Sequence, residues 1–361
     1  NLRFPSFEGE WEVKKLGEVC EIKTGNKDTQ NKVENGKYPF FVRSNTVEKI
    51  DSYSYDGEAI LTSGDGVGVG KNFHYINGKF DFHQRVYALR NFRNGYSGKY
   101  IYHLFSEKFY DRVRKLSAKN SVDSVRMDMI SEMKVYFPLL LEQQKISSFL
   151  SLIDERIQTQ NKIINDLKTL KTATAKKIFS GELRFKDDNG NDFSVWEDKK
   201  LGDISIKKSS NISANTLEEN QGNFKIYGAN GLLKEIDFYR EEKPYIAIVK
   251  DGAGVGRLLL CEGKSSVLGT LDIIKNKEQT DLLFLYYLLE TIDFTKFTTG
   301  STIPHIYFKD YSKEIIGLPS FPEQTKIANF LSSIDSKSDI ENQLLQKLEA
   351  QKKYLLQNIF V

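Results

Sequence analysis

The segment PLLLEQQKISSFLSLIDERIQTQNKIINDLKTLKTATAKKIF, Pro138 to Phe179, occurs a second time near the end of this chain. Pro319 to Phe360, PSFPEQTKIANFLSSIDSKSDIENQLLQKLEAQKKYLLQNIF, aligns with it without a gap. The repeat distance is about half of the 361 residues, far longer than the repeat of a solenoid. The two segments therefore indicate a unit that is present twice in one chain.

Shorter motifs repeat in the same order and support the duplication. Leu2-Arg-Phe4 is matched by Leu183-Arg-Phe185, and Trp11-Glu-Val-Lys-Lys-Leu-Gly17 by Trp196-Glu-Asp-Lys-Lys-Leu-Gly202. The polar, turn-rich segment Gly181 to Asp192 is a natural hinge between the halves. We predict four regions: a first globular domain at 1–137, a first helical arm at 138–180, a second globular domain at 181–318 and a second arm at 319–361.

The two arms have the heptad pattern of helices that pack against a partner helix. Apolar residues recur at spacings of three and four, with charged residues between them. The predicted coiled-coil seam consists of Leu150, Ile153, Ile157, Ile164, Leu167, Leu331, Ile334, Leu345 and Leu348. Polar seam positions also match, Gln160 with Glu341 and Lys171 with Lys352. The alternative is that each arm packs on its own globular domain as an amphipathic helix.

The arms set the predicted architecture. A helical arm spans roughly 57 Å at about 1.5 Å per residue. If the two arms lie antiparallel, two similar domains stand at opposite ends, related by an approximate two-fold axis. Such a molecule suits a two-fold target that it contacts at two separated places, and duplex DNA is one.

The globular domains combine short strands with apolar helical segments. Strands are predicted near Tyr38–Val42, Ala59–Thr62, Val86–Leu89, Phe224–Tyr227, Tyr245–Val249 and Leu271–Ile274, and helices near Tyr100–Phe109 and Leu282–Thr291. Asn, Gly and Asp clusters between the strands favour a curved, mostly antiparallel sheet. The predicted fold class is α+β: two α/β globules at opposite ends of a pair of long antiparallel coiled-coil helices, with an internal pseudo-two-fold duplication.

The amino-acid composition limits the possible classes of function but does not identify one. Fifty-two basic against 49 acidic side chains leave a net charge of +3, so any polyanion site is a local patch. The two cysteines, Cys20 and Cys261, have no disulfide or metal spacing, and a reducing cytoplasm is the expected location. The longest apolar run, Leu282 to Leu289, is too short to cross a bilayer, so no membrane partner is expected.

The glycine-rich stretch SGDGVGVGK, Ser63 to Lys71, resembles a phosphate-binding loop but lacks its pattern. A Walker loop needs glycine where Asp65 stands and Ser or Thr where Asn72 stands. A near-copy, KDGAGVGR, occurs at Lys250 to Arg257, and neither copy contains Gly-x-Gly-x-x-Gly. Alternating glycines after an apolar strand indicate a tight strand-to-strand turn where backbone approaches another strand or a DNA backbone.

Other catalytic patterns are missing as well. The chain has no Pro-Pro pair, which the target-base loop of adenine methyltransferases requires. The histidines His74, His83, His103 and His305 have no metal-ligand spacing. Glu132-x-Lys134 resembles a nuclease motif too weakly to outweigh a salt-bridged surface. We predict that the chain has no catalytic residues, no metal site and no cofactor of its own.

Both halves have polar and cationic residues at matching positions, and these residues could bind DNA. Forked, amide, hydroxyl and cationic groups of this kind contact base edges and phosphates. The candidate DNA-binding residues are Arg43, Ser44, Asn45, Lys71, Lys119, Asn120, Ser121, Tyr227, Asn230, Lys250, Arg257, Ser301, Thr302, His305 and Tyr307. Ordinary loop polarity explains any one of them taken singly, and their repetition carries the prediction.

These features together resemble the specificity subunit of type I restriction–modification systems. The likeness rests on the two variable globules, the two similar arms, the Trp-x-x-Lys-Lys-Leu-Gly start of each unit, and the Pro-x-x-x-Glu-Gln start of each arm at Pro138…Gln143 and Pro319…Gln324. The Gly300-Ser-Thr302 turn is also similar to the family's pattern, whereas the first half has Asn120-Ser-Val122. The resemblance covers nearly the whole chain.

The resemblance implies that each globule is a target recognition domain for one half of a split DNA sequence. The arms then set the spacer and dock two methyltransferase subunits, which bring S-adenosylmethionine and methylate adenine at N6. Motor–nuclease restriction subunits, which use ATP and Mg²⁺, complete the implied complex. The chain itself would be a non-catalytic subunit bound to double-stranded DNA.

Two other classes of function stay open from the residues alone. A coiled-coil scaffold with two protein-binding globules fits the near-neutral charge, and the paired polar turns count against it. An enzyme that acts alone is disfavoured by the missing methyltransferase and nucleotide loops. A steep loss of duplex binding with salt distinguishes a DNA reader from a protein scaffold.

Overall fold

The computed structural model describes residues 2–117 and 124–360 of the chain. It divides into two compact units. Unit 1 comprises Asn1–Asn161 and Gln343–Val361, and unit 2 comprises Lys162–Asn342. Each unit therefore contains one globular region and one segment of each long helix. The described residues form an α+β structure, as predicted.

The first half of the chain contains eight strands and four α-helices in its described residues. They are β1 (Glu12–Lys15), α1 (Leu16–Val19), β2 (Glu21–Thr24), β3 (Tyr38–Phe41), β4 (Val47–Ile50), β5 (Tyr55–Ser63), β6 (Phe73–Phe82), β7 (Val86–Arg90), α2 (Gly98–Leu116), α3 (Met127–Ser131), β8 (Lys134–Phe137) and α4 (Leu140–Phe179). The strand order of the large sheet is β2-β7-β5-β6-β3-β4, and β1 pairs with β8 separately. In the described part of this sheet, β3 and β6 run parallel and the other neighbours run antiparallel.

The second half follows with β9 (Glu197–Lys200), α5 (Leu201–Ile204), β10 (Ser205–Ser209), β11 (Phe224–Gly228), β12 (Gly231–Ile236), β13 (Tyr245–Val249), β14 (Leu258–Cys261), β15 (Ser266–Val267), β16 (Leu271–Asn276), α6 (Leu282–Glu290), α7 (Phe308–Tyr311), β17 (Ile315–Leu318) and α8 (Phe321–Ile359). The orders are β10-β16-β13-β14 and β12-β11-β15, with β9 paired to β17. Here β14 and β15 make the pairings that β6 makes alone in unit 1.

The interruption between β14 and β15 has a local backbone cause. Lys264 has a positive φ of 52°, which a strand residue does not adopt. A Cβ on Gly263 would lie 2.4 Å from the carbonyl oxygen of Glu242, so only glycine fits there. The chain therefore turns out of the sheet after Cys261 and returns at Ser266.

The core of unit 1 takes side chains from both long helices. Tyr100, Phe105 and Phe109 of α2 are fully buried in it. Ile146 and Leu150 come from the start of α4, and Leu356, Ile359 and Phe360 come from the end of α8 or directly after it. The ring of Phe360 packs edge-on against Tyr100 at 5.3 Å between centroids.

The core of unit 2 is built in the same way. Phe284, Leu285 and Leu289 of α6 are fully buried. They share a cluster with residues from the end of α4 and the start of α8, namely Ala175, Ile178, Ile327, Ala328 and Leu331. Each globular core thus contains residues from both arms. The sequence analysis considered arms that pack on each other and arms that pack on their own domains, and neither description is complete by itself.

Ion pairs join the two arm segments within each unit. In unit 1 the Asp154 carboxylate lies 2.5 Å from the Lys352 ammonium. In unit 2 the Lys171 ammonium lies 2.8 Å from both Asp335 and Glu290. The two lysines that interrupt the predicted apolar seam are therefore each paired with an aspartate of the other helix.

The Leu-Arg-Phe motif and the Pro-x-x-x-Glu-Gln motif meet in space. In unit 1 Arg3 donates from Nε and Nη2 to the carboxylate of Glu142, at 2.8 Å each. In unit 2 Arg184 forms the same fork with Glu323, again at 2.8 Å. Both glutamate side chains are completely buried. These repeated residues therefore hold the beginning of each half against the start of its arm.

The glutamine of each Glu-Gln pair binds backbone at the N-cap of a second helix and just before its own long helix. Gln143 accepts from the Ser97 N–H at 3.0 Å, and Gln324 accepts from the Asp281 N–H at 2.8 Å. Their amide nitrogens donate to the carbonyls of Pro138 and Pro319. Both glutamines are buried, so these contacts replace the water that their polar atoms and the backbone would otherwise bind.

The segment interpreted as a hinge makes bonds within unit 2. The Arg184 side chain reaches Glu323 there, and Lys326 donates to the Lys186 carbonyl at 2.8 Å. The division between the two compact units falls inside the long helices instead. The domain boundaries after residues 137, 180 and 318 stay predictions.

Every predicted seam position is buried or half-buried along α4 and α8. Leu150, Ile164 and Leu331 are among the fully buried or nearly buried side chains. Supercoiling of the two helices stays a prediction. Within residues 2–117 and 124–360, no helix is long and apolar enough to cross a membrane.

Candidate nucleic-acid interface

The first glycine-rich stretch joins two paired strands, β5 and β6, as predicted. Gly66 and Gly70 have φ values of 81° and 64°, in the region that favours glycine. A Cβ on Gly68 would lie 1.9 Å from the side-chain nitrogen of Asn72. The tip residue, Val67, is fully exposed. The glycines are therefore required for the path of the turn and for the close approach of Asn72.

The second stretch forms the corresponding turn between β13 and β14. Gly252 and Gly256 have φ values of 92° and 83°. A Cβ on Gly256 would lie 2.7 Å from the Cβ of Phe294, so the turn packs closely on the domain. Its last residue, Arg257, is exposed and stands where Lys71 stands in the first turn.

The chain just before each arm runs beside the glycine turn. In unit 1 the Val125 N–H donates to the Gly64 carbonyl at 2.7 Å, and the backbones of Asp65 and Ser124 form an isolated antiparallel β-bridge. In unit 2 the Ile306 N–H donates to the Lys250 carbonyl at 3.0 Å, and the backbones of Asp251 and His305 form an isolated antiparallel β-bridge. Polar residues from two distant parts of each half therefore share one surface.

The candidate residues Arg43, Ser44 and Asn45 follow β3 and lie next to this surface in unit 1. Arg43 donates to the Asp65 carboxylate at 3.0 Å, which ties it to the glycine turn. Ser44 donates to the Thr46 carbonyl at 3.0 Å, and Asn45 is exposed. The Ser44 carbonyl lies 3.1 Å from Nε2 of His74, whose pKa is lowered by burial.

Lys71 is the exposed cation of the first glycine turn. Its ammonium stands over the ring of Tyr110, 5.1 Å from the centroid. The other predicted contacts of the first half, Lys119, Asn120 and Ser121, lie outside the described residues.

In unit 2 the structure brings Asn230 and Arg257 into direct contact. Asn230 occupies the two-residue turn between β11 and β12, and Arg257 donates to its Oδ1 at 2.8 Å. Lys250 lies 3.4 Å from the Asp272 carboxylate. The Tyr227 hydroxyl donates to Glu262 at 3.2 Å, and burial is the main cause that raises its pKa to about 12.

The turn before the second arm presents the remaining candidates. Ser301 and Thr302 are exposed, after Gly300 with a φ of 89°. The rings of His305 and Tyr307 pack edge-on, with centroids 5.0 Å apart. Tyr307 is half-exposed, so this aromatic face borders the polar turn.

The sequence reasoning missed the acidic partners on these surfaces. Asp65 binds Arg43 and lies 3.8 Å from Arg85, while Asp272 accepts from Lys250 and Ser209. The repeated Asp-Gly pair in the two glycine stretches was a signal for Asp65. Asp272, within an apolar strand, gave no comparable signal.

The described residues include two cysteines with raised pKa values and no cluster suited to a metal ion. Burial raises the pKa of both thiols, Cys20 and Cys261, to about 12, so neither forms a thiolate near neutral pH. Among residues 2–117 and 124–360, no group of three His, Cys, Asp or Glu side chains could hold a metal ion. The Glu132 carboxylate of the weak nuclease-like motif is paired with Lys15.

Comparison with known proteins connects this geometry to a family. The model of the type I restriction modification DNA specificity domain matches residues 8–169 and 194–350. The type I restriction enzyme EcoDI specificity subunit of Escherichia coli is 22% identical over 93% of this chain and 84% of its own length. The MjaVIII specificity subunit of Methanocaldococcus jannaschii is 32% identical over 32% of this chain and 28% of its own length.

The fold is shared as well. The crystal structure of a type I restriction–modification S subunit from M. genitalium covers 99% of this chain and 98% of its own, with a TM-score of 0.70 and 19% identity. The family match occurs twice and covers most of the chain, with one match containing each glycine turn. The chain therefore belongs to the type I restriction–modification DNA specificity family.

Proposed function

We propose that this chain reads the two halves of a split DNA target, one half with each unit. The observation that carries the proposal is the recurrence of one arrangement in both units. In each, a glycine turn and the segment before an arm share a surface that presents exposed polar and cationic side chains. Such groups suit phosphates and base edges, and two similar surfaces suit two half-sites.

The chemistry would come from partner subunits. Two methyltransferase subunits, carrying S-adenosylmethionine, would methylate adenine at N6, and restriction subunits with ATP and Mg²⁺ would cleave. This chain would place them on the DNA and would contribute no reacting group. The match to the DNA specificity domain supports this division of roles.

The long helices would act as the spacer between the two readers. The ion pairs Asp154–Lys352 in unit 1 and Lys171–Asp335 in unit 2 each join α4 to α8, and they support antiparallel packing of these two helices. The repeated strand pairings support an internal duplication. The antiparallel coiled coil with a domain at each end, and the cytoplasmic location, are parts of the same proposal.

The test is a map of N6-methyladenine in a genome that carries this chain beside a cognate methyltransferase, compared with the same strain after deletion of the chain. We expect a split motif with a fixed spacer that is methylated only when the chain is present. The same methylation in both strains would overturn the proposal.

The second candidate is a scaffold whose globules bind proteins, and the net charge of +3 is the observation that favours it. A DNA reader and a scaffold differ in their response to salt. The assembled complex should lose duplex affinity steeply as salt rises if it neutralises phosphates. Salt-independent association with a protein, without duplex binding, would support the scaffold.

Replacement of Lys71 with alanine should weaken duplex binding equally for all sequences. Lys71 is an exposed cation at the end of the first glycine turn, so we expect it to contact a phosphate. The slope of log affinity against log salt should fall by about 1. The measurement is duplex affinity of the methyltransferase complex at several salt concentrations.

Lys79 supplies the matched control. It is also exposed on unit 1, and its ammonium stands over the Tyr53 ring at 4.8 Å. It lies eight residues beyond Lys71, toward the far end of β6, roughly 20 Å along the strand from Phe73. Lys79→Ala should leave the salt slope unchanged. Equal effects of both substitutions would contradict a contact at the turn.

A further inference from the structure

The contact between Arg257 and Asn230 determines which side of the asparagine amide faces outward. Arg257 donates from Nη1 to the Asn230 Oδ1 and to the Ala229 carbonyl, both at 2.8 Å. A guanidinium group has five N–H donors and no acceptor. The amide oxygen, and not the amide nitrogen, must therefore face Arg257, which leaves the NH₂ group on the other side.

The two residues are held by turns that leave little freedom. Asn230 lies in a two-residue turn closed by the paired Gly228 and Gly231. Arg257 is the last residue of a glycine turn that packs closely on Phe294. Its guanidinium carbon lies 3.7 Å from the position of a Cβ on Gly254, an ordinary van der Waals distance, so the guanidinium lies beside the backbone of its own turn.

The outward amide nitrogen of Asn230 has no acceptor within residues 2–117 and 124–360. The residue is exposed, so this amide nitrogen can donate to a ligand. In contrast, a charge-assisted bond from Arg257 occupies one side of Oδ1. The usual bidentate contact of asparagine with adenine needs this oxygen as an acceptor for N6–H.

We propose that Arg257 is a positioning residue that fixes Asn230 as a hydrogen-bond donor and so sets the base preference at one position of a half-site. The proposal rests on the proposed DNA-reading function. The favoured partner is a base edge with acceptors in the major groove, such as O6 and N7 of guanine or O4 of thymine. Arg257 affects specificity by positioning Asn230 and not by contacting a DNA base directly.

Unit 1 has a different arrangement at the corresponding turn. Lys71 replaces Arg257 and stands over Tyr110, while Arg43 after β3 is held by Asp65. The lysine nitrogen is one bond nearer the backbone than Nη1 of an arginine, and in unit 1 it lies against the Tyr110 ring. The proposed role of the Arg257–Asn230 contact therefore applies to the half-site read by unit 2. Unit 1, which has another arrangement, serves as the internal control.

The experiment measures sequence preference of the assembled methyltransferase complex on a duplex library in which each position of the target is varied. The variants are Asn230→Ala, Arg257→Ala, Arg257→Lys and the double alanine variant. We expect each single variant to lose about fivefold discrimination at the same base position of one half-site. The double variant should lose no more than Asn230→Ala alone, because both act through one contact. Lys71→Ala should leave preference at that position unchanged.

Arg257→Lys separates positioning from charge. It keeps the cation, but Nζ of lysine is one bond nearer the backbone than Nη1 and should not reach both Ala229 and Asn230. Discrimination should therefore fall while the salt dependence of binding stays as in the parent complex. If Arg257→Lys behaves like the parent and Arg257→Ala weakens all sequences equally, Arg257 contacts a phosphate and the proposal is overturned. Changes at two different base positions would overturn it as well.

Failure of the underlying function gives a separate result. If the unaltered complex shows no sequence preference on the library, the proposed DNA reading fails before any variant is considered. If the unaltered complex reads a split motif and the variants do not share a position, only the role of Arg257 is rejected. Thermal unfolding of each variant confirms that it is folded under the conditions of the binding measurement.

Discussion

Arg184→Ala should lower the free energy of unfolding of unit 2 by about 3 kcal/mol, since removal of one partner from a buried ion pair costs about 3–5 kcal/mol. Glu323 is completely buried and accepts two bonds from Arg184 at 2.8 Å and one from the Trp196 indole at 3.0 Å. Without Arg184 its carboxylate keeps one donor. We expect the lower end of the range because Arg184 is about one-third exposed, at 32%.

Tryptophan fluorescence during urea unfolding provides the measurement. The chain has two tryptophans, so a Trp11→Phe background leaves Trp196 beside Glu323 as the reporter of unit 2. In this background, Arg184→Ala should shift the midpoint to lower urea. Combining it with Glu323→Gln should recover part of the loss, because the buried group is then neutral and still accepts from Trp196.

Lys337→Ala is the control for loss of a positive charge on unit 2. Lys337 is exposed on α8, and a surface substitution of this kind changes stability by less than about 0.5 kcal/mol. A loss below about 1 kcal/mol for Arg184→Ala would contradict the buried-pair argument. It would mean that water reaches Glu323 readily once the arginine is gone.

Unit 1 should become less stable by about 2 kcal/mol between about pH 7 and about pH 5 because of His103 alone. Burial is the main cause that lowers the pKa of His103, to about 4; Lys352 and Lys99 lower it further, and Asp154 opposes them. The folded state then binds fewer protons than the unfolded chain, whose histidine titrates near 6.5. The stability is present above about pH 6.5 and is lost as the pH falls towards 4.

His103→Gln removes the titrating group and serves as the comparison. The measurement is the free energy of unfolding at several pH values, in a Trp196→Phe background that leaves Trp11 as the reporter of unit 1. Carboxylates change stability in both proteins, so the difference between their pH profiles isolates His103. Parallel profiles from pH 7 to pH 5 would show that His103 is accessible to protons in the folded state.

Unit 2 offers a natural counterpart to this histidine. Tyr287 lies six residues after Asp281, the N-cap of α6, as His103 lies six residues after Ser97, the N-cap of α2. The Tyr287 hydroxyl donates to Asp335 at 2.7 Å. Asp335 also pairs with Lys171, as Asp154 pairs with Lys352. Burial raises the pKa of Tyr287, so this group stays neutral throughout the acid range. The pH dependence from this position is therefore expected in unit 1.

The sequence alone determined the features that depend on local pattern. Heptad spacing predicted two long helices, observed as Leu140–Phe179 and Phe321–Ile359. Alternating glycines predicted the two strand-to-strand turns, because positive φ values and close contacts leave only glycine. The repeated motifs supported the family before any contact was known. The predictions of the helices and turns held because each depends on neighbours a few residues apart.

The strands predicted from the sequence were incomplete. The predicted strands omitted β6, Phe73–Phe82, which contains Asn77-Gly78, a pair typical of hairpin turns. In the structure Gly78 stays in the ladder opposite Gly57, and both have φ near 145–149°. A cross-strand partner therefore decided the conformation, which no window of sequence could show.

Only the tertiary structure decided which polar residues are partners. Arg3 and Glu142 are 139 residues apart, and the same separation joins Arg184 to Glu323. From the sequence, Asn230 and Arg257 were two separate candidates for DNA contact. In the structure Arg257 donates to Asn230, so the two side chains form one contact. It also could not show that each globular core takes residues from both arms. The reason is physical: a hydrogen bond or a buried contact depends on distance in space, and that distance exists only after the intervening chain has folded.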